Sequence, residues 1–443
     1  MAAKTFSGGV QVPHYKELTE HLPIREGPRP TEVVIPLSQH TGAPCEPTVR
    51  RGERVLVGQK VGDSEAFVSA PVHASVSGKV VAIEPRPHPL GGEVLAVVIE
   101  SDGEFAVHPE VKPLGPLEEL SPEQIKRMLR ESGMVGLGGA AFPTAVKVSP
   151  PEGKHIDVFL LNGAECEPYL TADHRLMVEH PEDVVLGMRA LMKALGVGRG
   201  IVCVEDNKPD AIEAMKKATM PHSELEVAVC RTKYPQGSEK QLIKAVLGRE
   251  VPPPPGLPLD VGVVVNNVGT AWAVARALTT GLPLVERVIT VTGPCVAQPA
   301  NLLVRIGTPF SSVVDFCGGF ASAPAKIIMG GPMMGVAQRG LEVPVIKGTS
   351  GLLLLPEEDA LAQQPQPCIR CGRCVEACPM GLLPLLLAAY AEQGRFEEAE
   401  SLRALNCMEC GSCSYICPAR RPLVHAIRVA KADIMARLRA RRK

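Results

Sequence analysis

The chain has 443 residues, 45% of them hydrophobic, which suffices for a sizeable core and, at ordinary domain sizes, for about three domains. Its 47 Lys and Arg balance 48 Asp and Glu, and aromatics make up 3%, so neither a basic field nor base-stacking surfaces point to nucleic acid. No run of about 18 uninterrupted apolar residues is present, so no transmembrane helix is expected, and the start Met1-Ala-Ala-Lys4 lacks the apolar stretch of a signal peptide.

Residues 1–30 read as irregular, broken by Gly8, Gly9, Pro13, Pro23, Pro28 and Pro30. From 31 to 110 short strands are expected at Glu32–Pro36, Arg54–Val57, Gly78–Ile83 and Glu93–Ile99. The stretch from Val55 through Ala70-Pro-Val-His73 to Gly78-Lys79 is similar to a biotinyl/lipoyl-like β-barrel. Lys79 lacks the flanking residues of a modified lysine, so a structural barrel is the reading, with His40 and His73 as packing or surface residues.

Ser121, as N-cap, and Pro122, at the first helical position, start a helix running to about Glu131. The run Gly136-Leu-Gly138-Gly139-Ala-Ala-Phe142-Pro143-Thr144-Ala-Val-Lys147 follows that helix, whereas a Rossmann fingerprint follows a strand. Glycines here let a flat or phosphorylated ligand approach backbone N–H groups; a tight surface loop is the alternative. Residues 156–248 alternate: strands Ile156–Leu161, Gly200–Val204 and Leu225–Cys230, and helices Pro181–Leu195, Pro209–Ala218 and Ser238–Leu247. That order predicts a mainly parallel sheet with ligands past its carboxyl ends. The segments there are Asn162-Gly-Ala-Glu165-Cys-Glu167-Pro168, Glu205–Lys208 and Arg231–Glu239.

After the prolines at 252–255 and 258, a strand Val261–Val265 leads into Asn266-Asn267-Val-Gly-Thr270 and a helix Ala271–Leu278, with Thr270 read as its N-cap; Asn266 and Asn267 read equally as a turn. Residues 285–345 (strands at 287–292, 300–304 and 326–329, a helix at 312–316) suggest a β-grasp module, and 346–355 an apolar strand. Pro356–Pro367 reads as a linker.

The C-terminal region carries an internal repeat. Cys368, Cys371, Cys374 and Cys378-Pro379 form one C-x2-C-x2-C-x3-C-P run, and Cys407, Cys410, Cys413 and Cys417-Pro418 form the other, 39 residues on. This spacing holds [4Fe–4S] clusters, and in two-cluster ferredoxins the fourth cysteine ligates the other cluster. The expected sets are therefore Cys368, Cys371, Cys374 and Cys417, and Cys407, Cys410, Cys413 and Cys378; zinc sites or disulfides are the alternatives. The other six cysteines (Cys45, Cys166, Cys203, Cys230, Cys295, Cys317) are scattered singly, as in a reducing compartment. Leu383–Ala404 is helical in pattern with a break at Gly394. Leu423–Lys443 reads as a helix ending in a basic tail of Arg428, Lys431, Arg437, Arg439, Arg441, Arg442 and Lys443, either solvated or facing an anionic surface.

Together these motifs resemble the RnfC component of the Rnf electron-transport complex over nearly the whole chain, including Phe6-Ser-Gly8-Gly9-Val and Pro13-His-Tyr-Lys16-Glu-Leu-Thr19 at the start. The middle resembles the flavin-carrying NADH-oxidising subunit of respiratory complex I. The resemblance implies a multidomain α/β protein: a biotinyl/lipoyl-like β-barrel (1–115), a Rossmann-like FMN/NADH domain (116–283), a soluble-ligand-binding β-grasp domain (284–355), a linker (356–367) and a helical dicluster ferredoxin domain (368–443). It implies two [4Fe–4S] clusters, FMN and NAD(H). Gly136, Gly138 and Gly139 would line the flavin, Lys147 and Asn162 would contact its ring or ribityl chain, and Asn266, Asn267 and Thr270 its phosphate end. Phe142 would stack on NADH and Glu165 and Glu167 would orient it, while Tyr234 and Glu239 match the relative's Tyr-x-x-Gly-x-Glu. Departures are Leu137 for an Arg, Ala141 for a Gly and Ala164 for an Asp. No acid–base triad or nucleophile is expected.

The implied function is peripheral electron transfer between NADH and a membrane ion-translocating complex, on the cytoplasmic face. Partners would be the complex's membrane subunits, its iron–sulfur subunit and, indirectly, ferredoxin. A flavin and cluster reductase of cobalamin metabolism, and an electron relay with a vestigial nucleotide site, are the alternatives.

Overall fold

The computed structural model describes residues 3–360 and 364–441. Gln363 of the expected linker and Arg442 and Lys443 of the expected tail lie outside the described residues. The N-terminal barrel consists of a four-stranded sheet, ordered Glu32–Pro36, Glu93–Ser101, Gly78–Pro87, Arg54–Val55, and a three-stranded one, Glu46–Pro47, Lys60–Asp63, Val72–His73. Val33, Ile35, Val97 and Ile99 alternate onto the inner face and join the main core. The strand from Gly78 runs beyond Ile83 to Pro87. Its far flank pairs with Arg54 and Val55 only at Gly78 and Lys79, so Pro85 and Pro87 interrupt no ladder on that side. Lys79, the second residue of that strand, stands exposed opposite Glu100.

In the middle domain four strands lie parallel in the order Leu225–Cys230, Gly200–Glu205, Val158–Gly163, Val263–Asn267. The strand Gly200–Glu205 is buried along its whole length, as expected of a sheet covered on both faces. The helix Pro122–Glu131 has Ser121 as its expected N-cap, and Gln124 completes a capping box, each accepting the other's backbone N–H. Two readings need correction. A helix at Ala172–Glu179 was not expected, and the helix after the last strand begins at Val268, with Asn267 rather than Thr270 as its N-cap: Asn267 Oδ1 accepts from the N–H groups of Gly269 and Thr270. Thr270 is left free for another bond.

The third sheet has six strands and contains a further correction. Ile24–Glu26, in the stretch read as irregular, runs parallel to Ala300–Arg305. That strand pairs antiparallel with Glu286–Thr292, which neighbours Gly351–Leu355, Lys326–Met329 and Val336–Gln338 in turn. The apolar stretch from 346 becomes a strand only at Gly351; before that, Ile346–Thr349 is a buried turn closed by the Ile346 N–H donating to Thr349 Oγ1.

The C-terminal domain is helical. Pro384–Glu392 and Phe396–Ser401 are separated at Gly394, where φ is +68°, and both pack on Leu423–Arg441. Part of the basic tail is used internally: Lys431 and Arg428 pair with Glu409, and Arg437 with Asp433.

The helices Pro181–Leu195 and Val268–Thr280 cross at Gly187, where a Cβ would fall on the carbonyl of Ala271. Gly187→Ala should therefore lower the thermal midpoint, at a cost of roughly 1–3 kcal/mol typical of overpacking, although Ala is the better helix former. Calorimetry of the full chain measures it.

Candidate functional site

The loops past the carboxyl ends of the parallel strands come together. Asn162 Nδ2 donates to the Gly237 carbonyl at 2.7 Å, and its Oδ1 accepts from the Ala164 N–H. A Cβ on Gly237 would lie 3.2 Å from Cys166 Sγ and 3.4 Å from Ala164 Cβ, which ties the segment after the first strand to the one after the third. The glycine-rich run is held from two sides. The Leu137 N–H donates to Thr270 Oγ1 at 2.9 Å, and the Leu137 carbonyl accepts from buried Arg287. On the outer side, Thr41 of the barrel donates through its N–H to the Ala141 carbonyl and through Oγ1 to that of Ala140. Gly138 packs on Asn267, where a Cβ would be 3.0 Å away, whereas a Cβ on Gly139 would meet nothing within 4 Å.

This arrangement fits a bound flavin. Asn266 is buried with its Nδ2 unpartnered, and the Thr144 hydroxyl is buried and equally unpartnered. Gln236 is buried with neither amide atom bonded. A buried polar group without a partner is costly, so these atoms mark places where a ligand rich in donors and acceptors adds bonds. Thr144 and Gln236 lie inside the quoted motifs but were not singled out; their types carry no pattern of their own, and only burial reveals them.

The remaining predicted residues have specific partners. Lys147 Nζ and Glu239 Oε1 form an ion pair at 2.8 Å, both partly exposed. Asn267 Nδ2 donates to Asp173 at 2.6 Å. Glu165 accepts from the N–H groups of Asp173 and His174, at the start of the helix absent from the sequence reading. Burial raises Glu165 to about 7 and lowers Lys16, each drawn back toward its charged form by the other at 3.8 Å. Glu167 accepts from the N–H groups of Met333 and Met334, in the Gly330–Gly335 loop of the β-grasp domain. Phe142 is half-buried and Leu137 lies in the core. Tyr234 is buried and donates through its hydroxyl to the Cys410 carbonyl at 2.7 Å, so it faces the cluster domain.

The structure brings the cysteines together in two groups of four. Cys368, Cys371, Cys374 and Cys417 line one pocket, and Cys378, Cys407, Cys410 and Cys413 line another. Among the described residues no three or more His, Cys, Asp or Glu side chains are drawn together as ligands of a single ion would be. The second set is inner: its loops meet the flavin domain through Tyr234, through Gln241 Nε2 donating to the Pro379 carbonyl, and through a shared apolar cluster with Cys166 and Met333. The first set is outer, with Cys368, Cys371 and Arg370 exposed and Ile369 69% exposed.

Comparison with known proteins agrees with this layout. Family models match in sequence the RnfC barrel sandwich hybrid domain at residues 4–104, the Nuo51 FMN-binding domain at 129–276, the SLBB domain at 288–337 and the 4Fe-4S dicluster domain at 360–418. The RnfC protein of the Na(+)-translocating ferredoxin:NAD(+) oxidoreductase complex of Acetobacterium woodii is 54% identical over 98% of both chains. The chain belongs to the RnfC family of ion-translocating oxidoreductase complexes. The counterpart in the proton-translocating complex of Clostridium ljungdahlii is 49% identical over 97% of this chain and 94% of its own, and that in the Rhodobacter capsulatus complex 42% identical over 97% and 83%. Among solved structures, an NAD+-reducing [NiFe]-hydrogenase in the H2-reduced state aligns with TM-score 0.50 and 20% identity over 74% of this chain and 68% of that one, a likeness of fold. The chain is an oxidoreductase component with FMN-binding and dicluster domains.

Two outcomes follow from the site. Cys378→Ala should abolish the inner [4Fe–4S] signal in electron paramagnetic resonance (EPR) while the outer one persists; loss of the outer alone defeats the assignment. Burial raises Glu167 from 4.5 to about 7. Its raised folded-state pKa favours folding below about 4.5 and loses that contribution as pH rises through 7. Glu167→Gln should therefore flatten the decline of thermal midpoint between these pH values relative to the parent, which melting curves across that range measure.

Proposed function

We infer that this chain is the peripheral subunit that exchanges electrons between NADH and an ion-translocating membrane complex, using FMN and two [4Fe–4S] centres. The observation that carries the reading is the contact of the inner cysteine loops with the flavin-domain loops through Tyr234 and Gln241, while Cys368 and Cys371 of the outer set are exposed. FMN, when bound, supplies the conversion between two-electron exchange with NADH and one-electron exchange with iron–sulfur centres.

The chain's own residues then have distinct tasks. Gly136, Gly138 and Gly139 give backbone access, Asn266, Asn267 and Thr270 form the amide-rich end, and Lys147 and Asn162 flank the ring. Phe142 and Glu239 are proposed for NADH, while Tyr234, bonded to the Cys410 carbonyl, joins the flavin loops to the cluster domain. For Glu165 and Glu167 the task is to fix the loop, because their oxygens already accept backbone N–H groups. The eight cysteines hold the clusters. Partners are the membrane subunits, the iron–sulfur subunit and, through them, ferredoxin. No helix among the described residues is long and apolar enough to cross a membrane, which suits a peripheral subunit, and we place it on the cytoplasmic face, where NADH is found. Relatives are named for both Na+ and H+, so likeness to them does not choose the coupling ion. The near full-length family match favours neither cobalamin chemistry nor a relay without nucleotide binding.

The test is anaerobic reconstitution followed by NADH. Flavin bleaching and reduced-cluster EPR signals are expected; absence of both sinks the reading. The exposed arginines Arg370, Arg373 and Arg420 near the outer cysteines should steer an acidic partner surface. Reversing all three to Glu should slow electron exchange with the rest of the complex about tenfold or more at low salt, less at high salt, with flavin content unchanged. Stopped-flow traces across ionic strengths check it.

A further inference from the structure

The N-terminal segment from Lys4 to Thr19 is distant in sequence from every proposed cofactor residue, yet it touches both halves of the redox site. It starts beside the edge strand Leu225–Cys230 of the flavin-domain sheet: the Lys4 N–H donates to the Val229 carbonyl and the Arg231 N–H to the Lys4 carbonyl. Val10 and Tyr234 exchange a pair of backbone bonds at 2.8 and 2.9 Å, so the segment lies along the residue whose hydroxyl reaches Cys410. One residue earlier, the Gly9 N–H donates to the carbonyl of Ala377, next to Cys378.

The double glycine has a steric reason here. At Gly8, with φ +77°, a Cβ would stand 2.9 Å from the Cys378 carbonyl oxygen and 3.1 Å from Pro379 Cα. At Gly9, also φ +77°, it would stand 2.6 Å from the Tyr234 carbonyl oxygen. Only glycine allows the backbone to lie flush on the fourth ligand of the inner set and on the flavin-domain loop together.

Farther along, Lys16 is 3% exposed. Its ammonium donates to the carbonyls of Glu165 at 3.0 Å, Glu167 at 3.1 Å and Leu170. Three acceptors use all three donors of an ammonium, so one buried side chain fixes the loop that follows the first strand of the flavin-domain sheet. The Tyr169 N–H donates to the His14 carbonyl, and the Thr19 and Thr171 hydroxyls bond at 2.7 Å.

We propose that residues 4–19 are a strap that sets the position of the inner iron–sulfur ligands relative to the flavin loops, with Gly8 and Lys16 as its positioning residues. The proposal rests on the functional reading above. Gly8 bears on the inner ligands and Lys16 on the flavin side; neither belongs to the lining of the outer set's cavity.

The experiment uses the full chain, purified anaerobically, with Gly8→Ala and Lys16→Met. Dithionite-reduced EPR, flavin content, amide hydrogen exchange and the rate of cluster reduction by NADH are measured. In Gly8→Ala the inner signal should broaden or shift, and its reduction by NADH slow about tenfold, while the outer signal and flavin content match the parent. In Lys16→Met, exchange at 163–170 should accelerate with the same slowing, the outer signal again unchanged. If both variants keep the parental inner signal, exchange and rate, the strap is refuted. Should Gly8→Ala lose both signals and flavin, the Lys16 variant decides. A parent that fails to respond to NADH defeats the functional reading instead, while EPR after dithionite and hydrogen exchange still decide the strap.

Discussion

Three backbone carbonyls converge on one buried ammonium, and the layout of the redox site depends on that convergence. A loop carrying Glu165, Cys166 and Glu167 must leave a parallel strand, expose backbone to a ligand and still hold its shape. Glu165 itself sits at φ +46°, a conformation that a non-glycine residue keeps only when its surroundings enforce it. Lys16 enforces it from below, the helix at Ala172–Glu179 receives the Glu165 carboxylate from one side, and the β-grasp loop receives Glu167 from the other. Burying a lysine is expensive unless its donors are all used, and here they are.

Much of this architecture is legible in the chain because its signals are local. Cysteine spacing, the Ser121-Pro122 helix start, the alternation of strand and helix from 156 to 248 and the break at Gly394 each need only a few neighbouring residues. What stayed hidden is non-local. Ile24–Glu26 is three residues long and is a strand only because Ala300–Arg305 lies beside it. Asn267 displaces Thr270 as the cap because Thr270 is drawn to the Leu137 N–H, 133 residues away. The short helix at 172 has little amphipathic character, and its first N–H groups are met by the Glu165 carboxylate, which only the folded loop turns toward them.

The same division runs through the site. Motifs named the glycine loop and the asparagine pair, but Thr144 and Gln236 can be recognised only by buried atoms lacking partners. Glu165, Glu167 and Tyr234 stand inside their motifs, yet their bonding partners place them as joints between the flavin domain and its neighbours. A motif fixes which residues recur together; the tertiary fold decides whether a side chain turns toward a ligand or toward the next domain.

The unequal exposure of the two cysteine sets also bears on handling the isolated chain in air. Cys368 and Cys371 stand open to solvent, while Cys410 and Cys413 are covered by the flavin domain and by their own helices. Oxidation follows access, so dioxygen is expected to reach the outer centre first, which would leave a protein that takes electrons in without passing them on. A partner docked over that face would serve as its shield.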